Sequence, residues 1–302
     1  MTLRNVLVFA AAAAGSSFAQ ADIALIKDWN LIVLGHWSNS SQDVEGNAFC
    51  GGNLSGGSPT IGVRLNAAQW AGREVLAVAG NTTVSNINLQ AGNFVRGGSL
   101  VGNVNHNGGG STLVDGSLGA RAAAYAASLT TFSASLASLT ANSAVQTPLG
   151  QPGPVRYNAA PGQDGLAVFS VHANDVFNNN LIQQIELNTN GASEIVINVA
   201  GSAVNFAFGN MVGEWTGAFA RANVLWNFFE ATSIALDRNF NGAILAPLAH
   251  LSNTTAIDGS VFVASFDQRG EVHVPFYGGN VPAPASLTLL GIAALGGARR
   301  RR

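Results

Sequence analysis

The sequence predicts a mainly β chain: a parallel β-helix, or solenoid-like body, with one long α-helix lying along its flank. Three observations lead there. Most of the chain consists of short β-prone runs separated by Gly, Asn and Ser, among them Val75 to Ala79, Glu194 to Val199, Val204 to Phe208, Ala243 to Ala246 and Ser260 to Ala264. The run Asn241-Gly242-Ala243-Ile244-Leu245-Ala246 returns 17 residues later as Asp258-Gly259-Ser260-Val261-Phe262-Val263-Ala264, as a coil that repeats itself requires. The clearest helical stripe lies between Leu118 and Ala141.

From the N-terminus, residues 1–21 read as a secretory signal. Arg4 supplies the positive end, Val6 to Ala14 is an apolar run, and small residues allow cleavage after Ala19 or Ala21. The body, residues 22–280, opens with the β-prone runs. Gly51-Gly52-Asn53-Leu54, Gly80-Asn81-Thr82 and Gly102-Asn103-Val104 echo one another at uneven spacing. A glycine before an aliphatic strand suits a chain that turns sharply and then lines an interior. In a solenoid, asparagines can also stack between coils through their amides. A β-sandwich with Asn-rich turns is the alternative.

In the helix, Tyr125, Leu129, Phe132, Leu136 and Leu139 step by four, three, four and three, which places them on one stripe. Such a stripe is expected to pack on the protein's own core. Three prolines between Pro148 and Pro154 then force an irregular extended connection. After the body come Pro282-Ala283-Pro284, an apolar stretch from Ala285 to Ala298, and Arg299, Arg300, Arg301 and Arg302. Fourteen helical residues reach about 21 Å, short of a full membrane span, and the arginines hold the end on the cytoplasmic side.

Composition narrows the function. Charged residues make up 10% of the 302-residue chain, Gly numbers 36 and Asn 30. The body keeps nine of the 14 basic residues and all 16 acidic ones, a net of −7. That excludes a phosphate-tracking nucleic-acid binder. The single cysteine, Cys50, excludes an internal disulfide framework and a Cys-based zinc cluster; beside Phe49 it reads as a small buried side chain.

Catalytic signatures are sparse. His36, His106, His172, His250 and His273 show no metal-ligand spacing. No Gly-x-Ser-x-Gly elbow with a supporting triad occurs. Gly108-Gly109-Gly110-Ser111 has no following Lys and reads as a loop. Asp43 and Glu45 alternate on one strand and therefore share a face. They are the acids to weigh for a polysaccharide-active enzyme, against a structural role in closing a coil. No catalytic, cofactor-binding or metal-binding residue is assigned.

Two resemblances add to this reading. The tail, from Pro282-Ala283-Pro284 to the arginines, resembles the PEP-CTERM sorting signal of Gram-negative bacteria, with Ala283 where that signal usually has Glu. The resemblance implies transient membrane association and processing by an exosortase-type protease.

The body resembles the choice-of-anchor A domain family. The resemblance rests on Leu31-Ile32-Val33-Leu34-Gly35, then Asp43-Val44-Glu45-Gly46 through Gly51-Gly52-Asn53-Leu54, and on Ile195 to Gly201 and Val224 to Ala231. Gly242 to Pro247 and Asp258 to Phe276 complete it. It implies a surface-displayed adhesive module and no catalytic residues. The closing rungs also resemble ice-binding β-solenoids with a flanking helix. The expectation is therefore a non-enzymatic, exported adhesion or matrix protein binding polysaccharide or matrix protein without a cofactor. A polysaccharide-active enzyme and an ice-binding solenoid are the alternatives.

Overall fold

The computed structural model describes residues 23–281. The signal segment 1–21, Asp22 and the sorting residues Pro282, Ala283, Pro284 and Arg299–Arg302 lie outside the described residues. The body is a parallel β-solenoid of triangular section, its coils laying successive strands on three sheets.

Sheet A contains ten parallel strands and, apart from its two outermost strands, is buried on both faces. Its order is Leu166–His172, Glu194–Ala200, Val224–Asn227, 243–246, 261–263, Leu31–Val33, Ala48–Cys50, Glu74–Val78, Asn93–Arg96 and Thr112–Val114. Leu31, Val33, Ile195 and Ile197 point into the bore; Ile32, Phe49, Val196 and Phe262 point outward under the helix. Burial on both faces is why these strands read as unbroken apolar runs.

The order of coils departs from the order of the chain. From Leu31 the chain winds outward to Val114, and the helix α1 (Leu118–Ala137) carries it back along the outside of sheet A. It then winds from Leu166 toward the start, and its last coil seats on its first: Leu31 pairs with Val261, Trp37 with Phe266 and Val44 with Val272. A 20-residue helix reaches about 30 Å. Its contacts reach across six strand spacings of sheet A, from Glu74, which binds Arg121, to Asn198, which binds the Leu136 carbonyl.

Leu129, Phe132 and Leu136 are buried as the stripe requires, and Tyr125 and Leu139 pack against the same cluster. The expected end at Ala141 is early-terminated at Ala137, where the Ser138 hydroxyl donates to the Ser135 carbonyl at 2.6 Å. Three buried polar groups fix the far half of the helix. Ser133 Oγ donates to Asn227 Oδ1 (2.6 Å), Asn227 Nδ2 donates to Asn198 Oδ1 (2.8 Å), and Asn198 Nδ2 donates to the Leu136 carbonyl (2.7 Å). At the near half, Arg121 Nη2 donates to both Glu74 carboxylate oxygens at 2.8 and 2.9 Å, and the guanidinium lies over the Phe49 ring.

The bore tapers. Leu166 and Glu194 begin successive long coils, of 28 residues (Leu166 to Glu194) and 29 (Ile195 to Val224), and Tyr157, Phe177, Trp215, Trp226 and Phe240 fill the wide end with ring centroids 5.1–6.3 Å apart. The other coils are mostly aliphatic inside and repeat every 17 or 18 residues, except the 28-residue coil from Ala48 to Leu76. The two near-copies are neighbours in register, Asn241 on Asp258 and Ile244 on Val261. Gly259 (φ +146°) must stay small there, since a Cβ would lie 2.5 Å from the Gly242 carbonyl oxygen.

Asparagines do stack: Asn105 on Asn88 (2.9 Å), Asn188 on Asn158 (2.7 Å) and Asn227 on Asn198. One echo is misplaced. Asn53 and Asn81 share a corner, but the next residue in that column is Ser99, whose N–H donates to Asn81 Oδ1 at 3.0 Å, and not Asn103.

Candidate binding face

Sheet B is the solenoid's other long surface. Its strands follow those of sheet A within each coil, one side facing the bore and the other facing outward, so they alternate in the sequence. Trp37, Leu54, Thr82, Ile234, Leu251 and Phe266 face inward, and small polar residues face out. One outward column runs unbroken through eight strands: Asn205, Ala235, Ser252, Asp267, Ser38, Ser55, Thr83 and Val101. Seven strand spacings make it about 34 Å long. Beside it run Ala203, Ser233, His250 and Ser265, continued by His36, Asn53, Asn81 and Ser99.

The face has little charge. In the first column Asp267 is the one ionised side chain, and Arg269 neutralises it at 2.7 Å. His250 shares a hydrogen with Ser265 Oγ at 2.8 Å, and His36 Nδ1 accepts the Asn53 N–H at 3.1 Å. What remains is an array of hydroxyls and amides at a regular spacing, backed by a rigid packed bore. It can make many weak hydrogen bonds to a long hydroxylated or peptide ligand.

Sheet C, which runs through Phe240–Asn241, Ile257–Asp258, Val272–His273, Asp43–Val44 and Thr60–Ile61, collects the charge. Val44 faces the bore while Asp43 and Glu45 face out together, as alternation requires. Glu45 uses both oxygens structurally: Oε1 accepts from Arg64 (3.1 Å) and Oε2 from the Val274 N–H (3.0 Å). The carboxylate thus joins the first coil to the last.

One strand over, His273 sits between Asp258 Oδ1 (2.8 Å) and Glu271 Oε2 (2.7 Å), and Arg221 approaches Asp258 at 3.5 Å. The Asp258 carboxylate, outweighing partial burial, lifts the His273 imidazole to about 9. A polar cleft of about 330 Å³ opens beside this network, lined by Arg221, Arg238, Asp237, Asn239 and Asn241 among others, with no aromatic side chain in its wall. Its acids are occupied, Asp237 by the Thr254 hydroxyl at 2.9 Å and Asp258 by His273 and Arg221.

The remaining sequence candidates serve the fold. Cys50 is buried in the bore, its thiol donates to the Gly35 carbonyl at 3.4 Å, and burial pushes it up to about 12, so it stays a thiol at neutral pH. His172 caps the short helix Ala173–Val176, and His106 pairs with Thr112 Oγ1. Among the described residues no three His, Cys, Asp or Glu side chains gather into a metal-binding group. Gly108–Gly110 forms a tight turn between two strands of the outermost coil. Sheet B is a candidate that sequence reasoning did not single out. Its signal was the alternation in Trp37-Ser38-Asn39 and Thr82-Thr83-Val84, each too short to stand out alone.

The C-terminal part of the body ends on the helix side. Val281 and Tyr277 pack in the cluster under α1, the Tyr277 hydroxyl donates to Glu194, and Lys27 bonds Asn280 at 2.9 Å. Both ends of the described chain therefore lie on sheet A, on a different face from sheet B. Among the described residues no helix is long and apolar enough to cross a membrane.

Comparison with known proteins gives two family matches. Residues 22–274 match the "Putative Ice-binding-like adhesive domain", and residues 280–302 match the PEP-CTERM protein-sorting motif. No curated protein matches the chain. Among solved structures, an ice binding protein from an Antarctic biological consortium is 13% identical. That alignment covers 82% of this chain and 88% of that one, with a TM-score of 0.35. The ice-binding protein of the Antarctic ascomycete Antarctomyces psychrotrophicus is 12% identical over 83% of this chain and 96% of that one, with a TM-score of 0.29.

Proposed function

The chain belongs to the family of ice-binding-like adhesive domains, and from that premise we propose that it is a non-enzymatic adhesin whose binding surface is sheet B. The PEP-CTERM motif marks it for export and exosortase-type sorting. In this reading residues 1–21 are removed on export, and residues 22–280 form the displayed body. Pro282, Ala283, Pro284 and Arg299–Arg302 carry the sorting signal, held transiently at the membrane until an exosortase-type protease acts. The resemblance to choice-of-anchor A domains points the same way.

One observation carries the proposal: the in-register column from Asn205 to Val101, about 34 Å long and nearly free of charge. The ligand it fits is an extracellular polysaccharide or an extended matrix protein such as collagen, held by many hydrogen bonds and few ion pairs. The catalytic alternative has less support, because Glu45, Asp237 and Asp258 are all engaged in structural contacts.

Salt tests the mechanism. Raising ionic strength from about 0.01 to 1 M cuts the Debye length from about 30 to 3 Å, yet affinity for purified exopolysaccharide or collagen should change less than about threefold. Ser38→Arg with Ser55→Arg should abolish that binding without lowering the melting temperature. Binding that collapses with salt, or that survives the double variant, refutes the assignment to sheet B.

Ice binding is a second reading, favoured by the regular spacing of small side chains, although Thr83 is the one threonine in the column. Thermal hysteresis in the wild type, lost in the same double variant, would establish it.

A further inference from the structure

The two ends of the solenoid finish their strand edges differently. At the wide end, side chains stand in for the missing neighbour. Asn142 accepts the Val168 N–H (2.8 Å) and donates to the Leu166 carbonyl (3.0 Å). Asn178 accepts the Asn205 N–H (2.7 Å) and donates to the Ala203 carbonyl (3.0 Å). The third edge there ends on the short antiparallel strand Ala144–Gln146.

The narrow end has no such cover. Leu100–His106 pairs only with Thr82–Leu89, and Thr112–Val114 only with Asn93–Arg96. Their outer edges have no strand partner among the described residues. Val101, Leu113 and Val114 are 59%, 45% and 67% exposed on this coil, and no Lys, Arg, Asp or Glu occurs between Arg96 and Asp115. Soluble proteins usually protect a free edge with charge, proline or a covering element. The one irregularity here, an extra residue opposite Gly102, lies in the inner strand Thr82–Leu89 and not on the free edge.

We propose that this end is a dimerisation surface, where a second copy of the chain stacks its own narrow end against the first. A strand edge is completed by another strand edge. Asn142 and Asn178 close the edges of sheets A and B at the opposite end, which disfavours head-to-tail growth and leaves like against like. The uncharged coil meets its copy without repulsion. A twofold axis across the solenoid makes the paired strands antiparallel, and the interface closes on itself as an isologous dimer. With the axis passing through sheet B, the two B sheets extend one binding surface.

Sedimentation of the full chain tests this, with a mass of twice 30.9 kDa expected. Val101→Lys with Val114→Lys places like charges across the twofold and should weaken the dimer by on the order of a hundredfold or more. Thr83→Lys, on sheet B of an inner coil, should leave it intact. Because Cys50 is buried, a cysteine introduced as Asn103→Cys or Leu113→Cys reports cleanly: at least one should oxidise to a covalent dimer, and Ser233→Cys should not. A wild type that stays monomeric at its highest soluble concentration overturns the proposal. So does association that the two lysines leave unchanged, which would place the contact elsewhere.

Discussion

Replacing Asn227 by Ala tests whether the helix is held by its buried polar cluster. Asn227 is fully buried between sheet A and α1, where it accepts from Ser133 Oγ and donates to both the Ser133 carbonyl (2.9 Å) and Asn198 Oδ1 (2.8 Å). The Ser133 carbonyl keeps its helical partner, so truncation orphans two groups, the Ser133 hydroxyl and Asn198 Oδ1. At about 1–3 kcal/mol for each unsatisfied buried group, the loss should be roughly 3 kcal/mol. For a body of this size that is about 6–12 °C in melting temperature. Adding Ser133→Ala removes one orphan and should recover about 1 kcal/mol, a coupling that a double-mutant cycle in denaturant measures directly. Hydrogen exchange should rise first in residues 129–137. A loss below about 1 kcal/mol, or a double variant that is strictly additive, would refute the reasoning.

Other outcomes follow from single contacts. His273 is lifted from 6.5 to about 9 in the folded protein, so its contribution is complete below about pH 6.5 and disappears as pH rises through about 9. A melting temperature that falls over that window in the wild type, but not in His273→Gln, is expected. Gly259→Ala forces a Cβ to within 2.5 Å of the Gly242 carbonyl at φ +146°, and should cost at least ~2 kcal/mol, read as lost soluble yield or a lowered denaturation midpoint. Deleting residues 282–302, beyond the buried Val281, should leave the body folded and release it from the envelope into the medium or periplasm; unchanged retention would remove the sorting tail as its anchor.

Much of the fold was legible in the sequence because the two sheet types leave different traces. Glu194 to Ala200 is buried on both faces and reads as a solid apolar run, whereas Trp37-Ser38-Asn39 alternates. The copies at Asn241 and Asp258 identified a coil correctly because they are true neighbours in space. The order of coils was not legible. Similarity between segments says that Val261 resembles Ile244, but nothing local says that Leu31 lies on the far side of Val261. The unevenly spaced echo at Gly102-Asn103 falls off the Asn53–Asn81 corner, which Gly98-Ser99 occupies because the coil there is 18 residues and not 22. Leu139 kept its place in the stripe although the helix ends before it, because packing extends past the last helical turn.

The seam between the first and last coils also sets the order of events during synthesis. Trp37 donates to Gln268, 231 residues later, and the edge of Leu31–Val33 finds its second neighbour only when Val261 arrives. A chain emerging N-terminus first therefore builds a half-stack whose inner edge stays open until almost the whole body has been made. Such late, non-local closure is slow and exposes strands meanwhile. If the chain is exported unfolded, as the proposed function requires, the delay is an advantage: the native body cannot be completed on the wrong side while its last coil is still to come.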